Sequence, residues 1–180
     1  MRVVEEGPPA GAAPGAPALV LPGRGYDVDR PVLRAVRDEL VAAGRRVLAL
    51  SWTEGPPAPE DVPALARFLL DDLRPCLVVA KSLTTLALPV AADRGVAGIW
   101  LTPLLDHPEV GLAAARSHPR TLLVGGTGDP TWDRTLAHES DREVLELDGA
   151  DHSLEHPGDP ARTAADLDRL RRRVREFLAG

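Results

Sequence analysis

The feature that most constrains the fold is a short apolar run at residues 77–80, which ends two residues before Ser82. An uninterrupted aliphatic run of this length is typical of a strand that is buried on both faces of a sheet. Residues 83–92 favour a helix, so the turn from strand to helix falls on Ser82. A serine on such a turn is lifted out of the sheet at the carboxyl end of its strand. Cys76, the only cysteine, would belong to this strand as a buried and inert thiol.

Strand-like runs alternate with helical patterns along the rest of the chain. Further buried strands are predicted at 18–22, 46–51, 96–102, 121–124 and 143–147, and a short edge strand is predicted at 1–6 within an otherwise irregular segment, 1–17. Helices are predicted at 30–43 (with Asp29 as N-cap and Gly44 closing it), 62–73, 83–92, 109–116, 132–140 and from Pro160 onward.

Strict alternation of strand and helix implies one α/β domain, residues 1–180, in which helices cover both faces of a mainly parallel sheet of about six strands. In such three-layer sandwiches, ligands bind beyond the carboxyl ends of the strands, where the winding direction reverses. For a flavodoxin-like strand order, that point lies between the loop at 23–26 and the turn at Ser82.

Composition narrows the functional classes. The chain has a net charge of −6 and 44% hydrophobic residues, so neither a nucleic acid nor an anionic membrane is expected as a partner. No apolar run approaches the ~18 residues of a membrane span, and no signal peptide is evident, so we expect a cytoplasmic protein. A single cysteine excludes an intrachain disulfide. The oligomeric state stays open, a homodimer included.

Three polar residues follow strand ends in an order suited to nucleophilic catalysis. Ser82 sits in the pattern Ala80-x-Ser82-x-Thr84, which matches the small-flanked nucleophile elbow G-x-S-x-G except at Thr84. A serine needs a base, and the base needs an orienting carboxylate. Asp129 follows the fifth predicted buried strand and His152 follows the sixth, so all three can meet at one sheet edge as nucleophile, acid and base.

Backbone donors for a developing oxyanion are predicted at Leu83, which begins the helix after Ser82, and at Arg24 in the glycine turn. Gly23 and Gly25 would let this turn approach the serine. Aromatic residues make up only 3% of the chain. Three of them fall near the site and are predicted to line a substrate pocket, namely Tyr26, Trp52 and Trp132.

Other assignments are weaker. Asp133 is the nearest rival of Asp129 as the acid, and Asp106 is a distant one; Asp151 would be a solvated neighbour of the base.

Lys81-Ser82 lacks the glycine-rich turn of a phosphate-binding loop, and Gly126-x-Gly128 lacks the third glycine of a dinucleotide fingerprint. Four residues could suggest a metal site, Asp148, Asp151, His152 and His156, but no further ligands cluster with them. We therefore expect no metal and no cofactor.

Four segments together resemble the α/β-hydrolase superfamily, in particular its small lidless members similar to dienelactone hydrolases. They are 21–25 for the oxyanion loop, 80–84 for the elbow, 126–129 for the acid loop and 149–152 for the histidine loop. The resemblance implies a serine hydrolase that cleaves a small-molecule ester or thioester through an acyl-enzyme. The short segment 102–108 leaves no room for a cap domain.

Three departures from that family pattern keep other functions open. Pro22 stands where His is frequent, Thr84 stands where Gly is frequent, and the usual N-terminal antiparallel hairpin is mostly missing. One alternative is a non-catalytic binding protein on the same fold. Another is an acyl transferase or cyclase that uses the same three residues.

Overall fold

The computed structural model describes residues 1–7 and 15–180. Within them, seven strands form one sheet and six α-helices pack on it. The strands are β1 (Arg2–Glu6), β2 (Ala18–Leu21), β3 (Val47–Ser51), β4 (Leu77–Lys81), β5 (Ala97–Leu101), β6 (Thr121–Gly126) and β7 (Glu143–Leu147). The helices are α1 (Pro31–Ala42), α2 (Val62–Leu73), α3 (Leu88–Asp93), α4 (Pro108–Arg116), α5 (Arg134–Glu139) and α6 (Pro160–Ala179).

The strand order is β1-β3-β2-β4-β5-β6-β7, which confirms the predicted α/β class. The parallel strands have the flavodoxin-like order that the sequence analysis considered. Only β1 among the described strands is antiparallel, and it pairs with β3 at the edge. It is the edge strand predicted at 1–6, so the segment 1–17 is not irregular throughout. The part of the predicted loop at 8–14 lies outside the described residues. The winding direction reverses between β2 and β4, which places the loops after these two strands side by side.

Two hydrophobic cores lie on opposite faces of the sheet because side chains of a strand alternate between faces. Leu19 and Val78 point to the core that α2, α3, α4 and α5 cover. Val20 and Val79 point to the core that α1 and α6 cover. Strands buried on both faces explain why apolar runs, and not alternating patterns, marked them in the sequence. No helix among the described residues is long and apolar enough to cross a bilayer.

Local structure differs from the prediction at three places. Asp29 is not the N-cap of α1, because its carboxylate instead accepts a hydrogen bond from the buried guanidinium of Arg37 at 2.8 Å. Cys76 precedes β4 and is exposed, so it is not a buried thiol. The helix after Ser82 begins as a 3-10 helix, Ser82–Ala87, before α3 continues to Asp93. Pro89 lies in the first turn of α3, where its missing N–H costs no hydrogen bond.

Candidate active site

The turn at Ser82 has the conformation of a nucleophile elbow. Ser82 directly follows β4 and has a φ of 52°, in the left-handed region that a non-glycine residue rarely adopts. A Cβ at Gly23 would lie 3.4 Å from the carbonyl oxygen of Lys81 and 3.5 Å from Cβ of Ser82, so the two loops pack against each other at ordinary contact distance. Thr84 fits where glycine is usual because its hydroxyl accepts from the Lys81 N–H and lies 3.1 Å from the carbonyl oxygen of Leu21.

The structure brings Ser82, His152 and Asp129 into one hydrogen-bonded chain. Nε2 of His152 lies 2.7 Å from Oγ of Ser82, and Nδ1 of His152 lies 2.7 Å from Oδ2 of Asp129. A carboxylate can only accept, so Nδ1 carries the proton and Nε2 accepts from the serine hydroxyl. The Asp129 side chain is 0% exposed whereas that of His152 is 38% exposed. Ser82 and His152 are therefore open to solvent above the buried carboxylate of Asp129.

Thr131 binds the carboxylate of Asp129 through two hydrogen bonds. Its N–H and its hydroxyl both donate to Oδ1 of Asp129, at 2.9 and 2.8 Å, while Oδ2 accepts from His152. Burial alone would raise the pKa of Asp129, but the hydrogen bonds from His152 and Thr131 outweigh it and lower the pKa below its ordinary value. Asp129 is therefore an anion at neutral pH. Thr131 occupies the position where the third glycine of a dinucleotide fingerprint would stand, and its role was missed in the sequence.

Close packing of two loop backbones holds Asp129 and His152 together. A Cβ at Gly126 would lie 2.1 Å from the carbonyl oxygen of Ala150, so only glycine fits there. The N–H of Gly128 donates to the same carbonyl oxygen at 3.0 Å. Asp151 is not merely a solvated neighbour, since its carboxylate accepts from two N–H groups of the histidine loop, at 2.8 and 3.0 Å.

The rival residues have other partners. The Asp133 carboxylate caps α5 by accepting from the Leu136 N–H at 2.9 Å, and Asp106 is exposed. His156 is buried against Asp166, with Nε2 lying 2.8 Å from Oδ2, and so connects the histidine loop to α6. No three His, Cys, Asp or Glu side chains converge as a metal site in the parts of the chain that the structure describes.

The residues predicted as oxyanion donors lie beside Ser82. A 3-10 helix that begins at Ser82 leaves the N–H of Leu83 without an acceptor inside the helix. Arg24 lies next to Gly23, the residue that abuts Ser82. No neighbouring atom lies within 4 Å of a Cβ built at Gly25, so the predicted role of that glycine in close approach is wrong. The indole N–H of Trp52 donates to the Gly23 carbonyl at 3.0 Å and fixes this turn.

Two of the three aromatic residues predicted to line a pocket belong to the hydrophobic cores. Tyr26 is 7% exposed, and its hydroxyl accepts from the Val32 N–H at 3.1 Å. Burial raises its pKa. Trp132 is 8% exposed, and its indole N–H donates to the Glu146 carboxylate at 3.0 Å. Little of either ring is left for a substrate. Trp52, which is half-buried, is the one of the three that borders the site with an accessible surface.

Lys81 is a second residue whose importance the sequence analysis missed. Its ammonium is buried beneath Ser82 and His152 and donates to Oγ1 of Thr102 and to the main-chain carbonyl of His152. The available signal was a lone lysine at the end of a buried apolar strand, where a charged residue is costly unless it has partners.

Comparisons with solved structures agree with this fold, although no protein-family model and no curated protein matches the sequence. An α/β serine hydrolase without a lid from Xanthomonas campestris superposes with a TM-score of 0.68 and 13% identity, covering 98% of this chain and 87% of that one. An esterase domain from Rhodothermus marinus gives a TM-score of 0.63 and 18% identity over 99% and 100% of the two chains.

A third solved structure is a dienelactone hydrolase from Anabaena variabilis. It superposes with a TM-score of 0.60 and 20% identity, covering 91% of this chain and 86% of that one. At these identities the likeness concerns the fold, and the chain has the α/β-hydrolase fold without a cap domain in its described residues.

Proposed function

We propose that this protein is a serine hydrolase that cleaves a small-molecule ester or thioester through an acyl-enzyme. The observation that carries the proposal is the unbroken chain of two 2.7 Å hydrogen bonds from Ser82 through His152 to Asp129. Its orientation is the one that proton transfer requires, because Nε2 faces the hydroxyl and the buried carboxylate holds Nδ1–H. The esterase and hydrolase names of the three superposed proteins support the same reaction class.

The proposed reaction has two stages. Oγ of Ser82 attacks the substrate carbonyl carbon while Nε2 of His152 takes the hydroxyl proton, and the N–H groups of Leu83 and Arg24 receive the oxyanion. His152 then gives its proton to the departing alcohol or thiol, which leaves an acyl ester on Ser82. Water attacks this ester with His152 as base, and the acid is released as Ser82 regains its proton. Asp129 stays ionised and stabilises the imidazolium that forms in each stage.

The geometry favours this reaction over a non-catalytic role. A binding protein that had lost catalysis would have no need to keep the His152 ring within hydrogen-bond distance of Ser82. The backbone held at a φ of 52° and the buried carboxylate both have a cost in stability and a use in catalysis. Because the described residues have no cap between β5 and α4, the site is suited to small or extended substrates.

The test is covalent labelling combined with turnover. We expect a fluorophosphonate probe to label the folded protein at Ser82, located by peptide mass spectrometry, and p-nitrophenyl esters of short acids to be hydrolysed. Ser82→Ala should lower kcat by roughly 10⁶ if the three residues act as a unit. Ser140→Ala removes a hydroxyl directly after α5 that donates to the Ala137 carbonyl, and it should leave both readouts unchanged. A folded protein with neither label nor turnover would refute the proposal.

A further inference from the structure

Lys81 forms a buried link beneath the proposed catalytic residues. It is the only lysine among the 21 lysine and arginine residues of the chain, and it is 1% exposed. Nζ donates to Oγ1 of Thr102 at 2.9 Å and to the main-chain carbonyl of His152 at 2.8 Å. The ammonium also lies 4.6 Å from the centre of the Tyr26 ring, a cation–π distance. One side chain thus joins the end of β4 to the loops that follow β2, β5 and β7.

The contact with Thr102 is made at a strained position. Thr102 has a φ of 43°, which is unusual for a β-branched residue, and it is fully buried at the end of β5. Its N–H donates to the Val124 carbonyl at 2.7 Å and so holds this backbone in place. Strain of this kind persists where surrounding structure demands it, commonly at functional sites. Here it presents a hydroxyl to the lysine.

The contact with His152 bears directly on the base. The histidine loop starts from β7, which lies three strand positions from β4 in the sheet. At a spacing of about 4.8 Å per strand, the loop must bring His152 back over about 14 Å to reach Ser82. Lys81 is covalently next to Ser82, so its hydrogen bond to the His152 carbonyl positions the backbone of the base relative to the strand that carries the nucleophile.

We propose that Lys81 is a positioning residue, whose buried ammonium holds the His152 main chain so that the imidazole stays within hydrogen-bond distance of both Ser82 and Asp129. The inference rests on the proposed hydrolase function for its kinetic readout only, because the position of the imidazole can be observed without turnover. The lysine donates to protein groups on two sides and faces an aromatic ring on a third, so it takes no direct part in substrate binding.

Lys81→Met is the principal test, since methionine nearly preserves the length of the side chain and removes its donors. We expect kcat for a p-nitrophenyl ester to fall by about 10- to 100-fold with KM nearly unchanged. This is the range typical of the loss of a residue that orients a functional side chain, as measured for the residues that orient metal ligands. The second readout is the downfield proton NMR signal of the His152 Nδ1–H in its bond to Asp129. We expect a sharp signal in the parent protein and a broadened or absent one in folded Lys81→Met.

Three controls make the outcome decisive. Asp129→Asn should remove the downfield signal and so identify it. Thr102→Val keeps the lysine and the branched shape, and it should lower kcat about tenfold, which tests the same link if Lys81→Met does not fold. Circular dichroism confirms that each variant compared is folded.

Each result has one interpretation. An unchanged kcat and an unchanged downfield signal in folded Lys81→Met would overturn the inference. A raised KM at constant kcat would also overturn it, because it would show that the lysine contacts the substrate. If the parent protein neither hydrolyses esters nor labels with fluorophosphonate, the proposed function fails. The NMR signal would then still decide whether Lys81 positions His152.

Discussion

Nε2 of His152 lies 2.7 Å from Oγ of Ser82 although the two residues are 70 positions apart in the chain. The parallel sheet explains how they meet, because it directs the carboxyl ends of β4 and β7 to the same edge. The contact also requires the acid loop to pack against the histidine loop, which the glycine at position 126 permits. The hydrogen-bonded chain is thus a property of three loops together and of no single motif.

The identity of the acid can be tested with two matched variants. Asp129→Asn replaces an acceptor by an amide that can donate to Nδ1, so the imidazole is favoured in the wrong tautomer and kcat should fall on the order of 10⁴. Asp133→Asn changes the rival carboxylate, whose observed role is to cap α5, and asparagine caps helices equally well. We expect no kinetic effect there. Steady-state kinetics of both proteins decide the matter, and equal losses would contradict the assignment.

The strain at Ser82 predicts a difference between two inactive proteins. Ser82→Gly and Ser82→Ala both lack the hydroxyl, but only glycine adopts a φ of 52° freely. The relief of left-handed strain exceeds the extra entropy of glycine in the unfolded chain, so we expect Ser82→Gly to be more stable by about 1 kcal/mol.

Urea unfolding of the two proteins measures this difference. The same pair of substitutions at Ser140, where φ is −66°, should give the opposite order, with alanine the more stable. If glycine were the less stable residue at both positions, Ser82 would carry no backbone strain.

Much of the fold could be predicted because local sequence determines it. The strands from β2 to β6 appeared as apolar runs, whereas β7 contains two glutamates; the predicted bounds of all six strands lie within about two residues of those observed. The strand order was considered only as one possibility, because strict alternation of strand and helix predicts parallel pairing but does not fix which strands are neighbours. Ser82, Asp129 and His152 could be proposed from their places after strand ends, and the structure joins them by hydrogen bonds.

The residues that the sequence did not assign act through long-range contacts. Lys81 bonds to a main-chain carbonyl 71 positions away, and no local pattern records such a partner. Tyr26 and Trp132 stand beside site loops in the sequence, but their rings turn into the cores, where a few apolar neighbours decide side-chain direction. Cys76 lies one residue outside its strand, and that single residue changes a buried thiol into an exposed one.

Thr131 should support Asp129 through its hydroxyl. Thr131→Val keeps the branched shape and the N–H but removes one donor to Oδ1. We expect kcat to fall and the free energy of unfolding at pH 7 to fall by about 1 to 2 kcal/mol, since a hydrogen bond to a charged group is lost. Thr131→Ser retains the donor, so its kcat and its free energy of unfolding should fall less than those of Thr131→Val.

The difference in stability between the parent protein and Thr131→Val should depend on pH with a definite sign. The pKa of Asp129 is lowered in the folded protein from an ordinary value of 3.8, so its hydrogen bonds stabilise the fold fully above 3.8. That contribution is lost as the pH falls below 3.8 and through the folded pKa. The stability gap between the parent protein and Thr131→Val should therefore shrink in that acidic range. A gap that stays constant down to pH 2 would mean that the hydroxyl does not act on the carboxylate.

The buried ammonium of Lys81 leads to a separate prediction at alkaline pH. Burial lowers the pKa of Lys81 to about 8 from 10.5, although the negative charges of Asp129, Asp151 and Glu155 raise it in part. Between these two pH values the unfolded chain holds a proton that the folded chain has released. The unfolded state therefore binds more protons, and the free energy of unfolding should rise with pH across this window, by on the order of 3 kcal/mol in total.

Lys81→Met provides the matched control, because the chain has no second lysine that could titrate in the same window. Its free energy of unfolding, measured by urea at intervals from pH 7 to 10, should lack the rise seen in the parent protein. Tyr26, whose pKa is raised by burial, opposes the rise at the alkaline end in both proteins and cancels in the comparison. Parallel curves would contradict the prediction, because they would show that the lysine keeps the same pKa in the folded and unfolded chains despite its enclosure by Thr102, His152 and Tyr26.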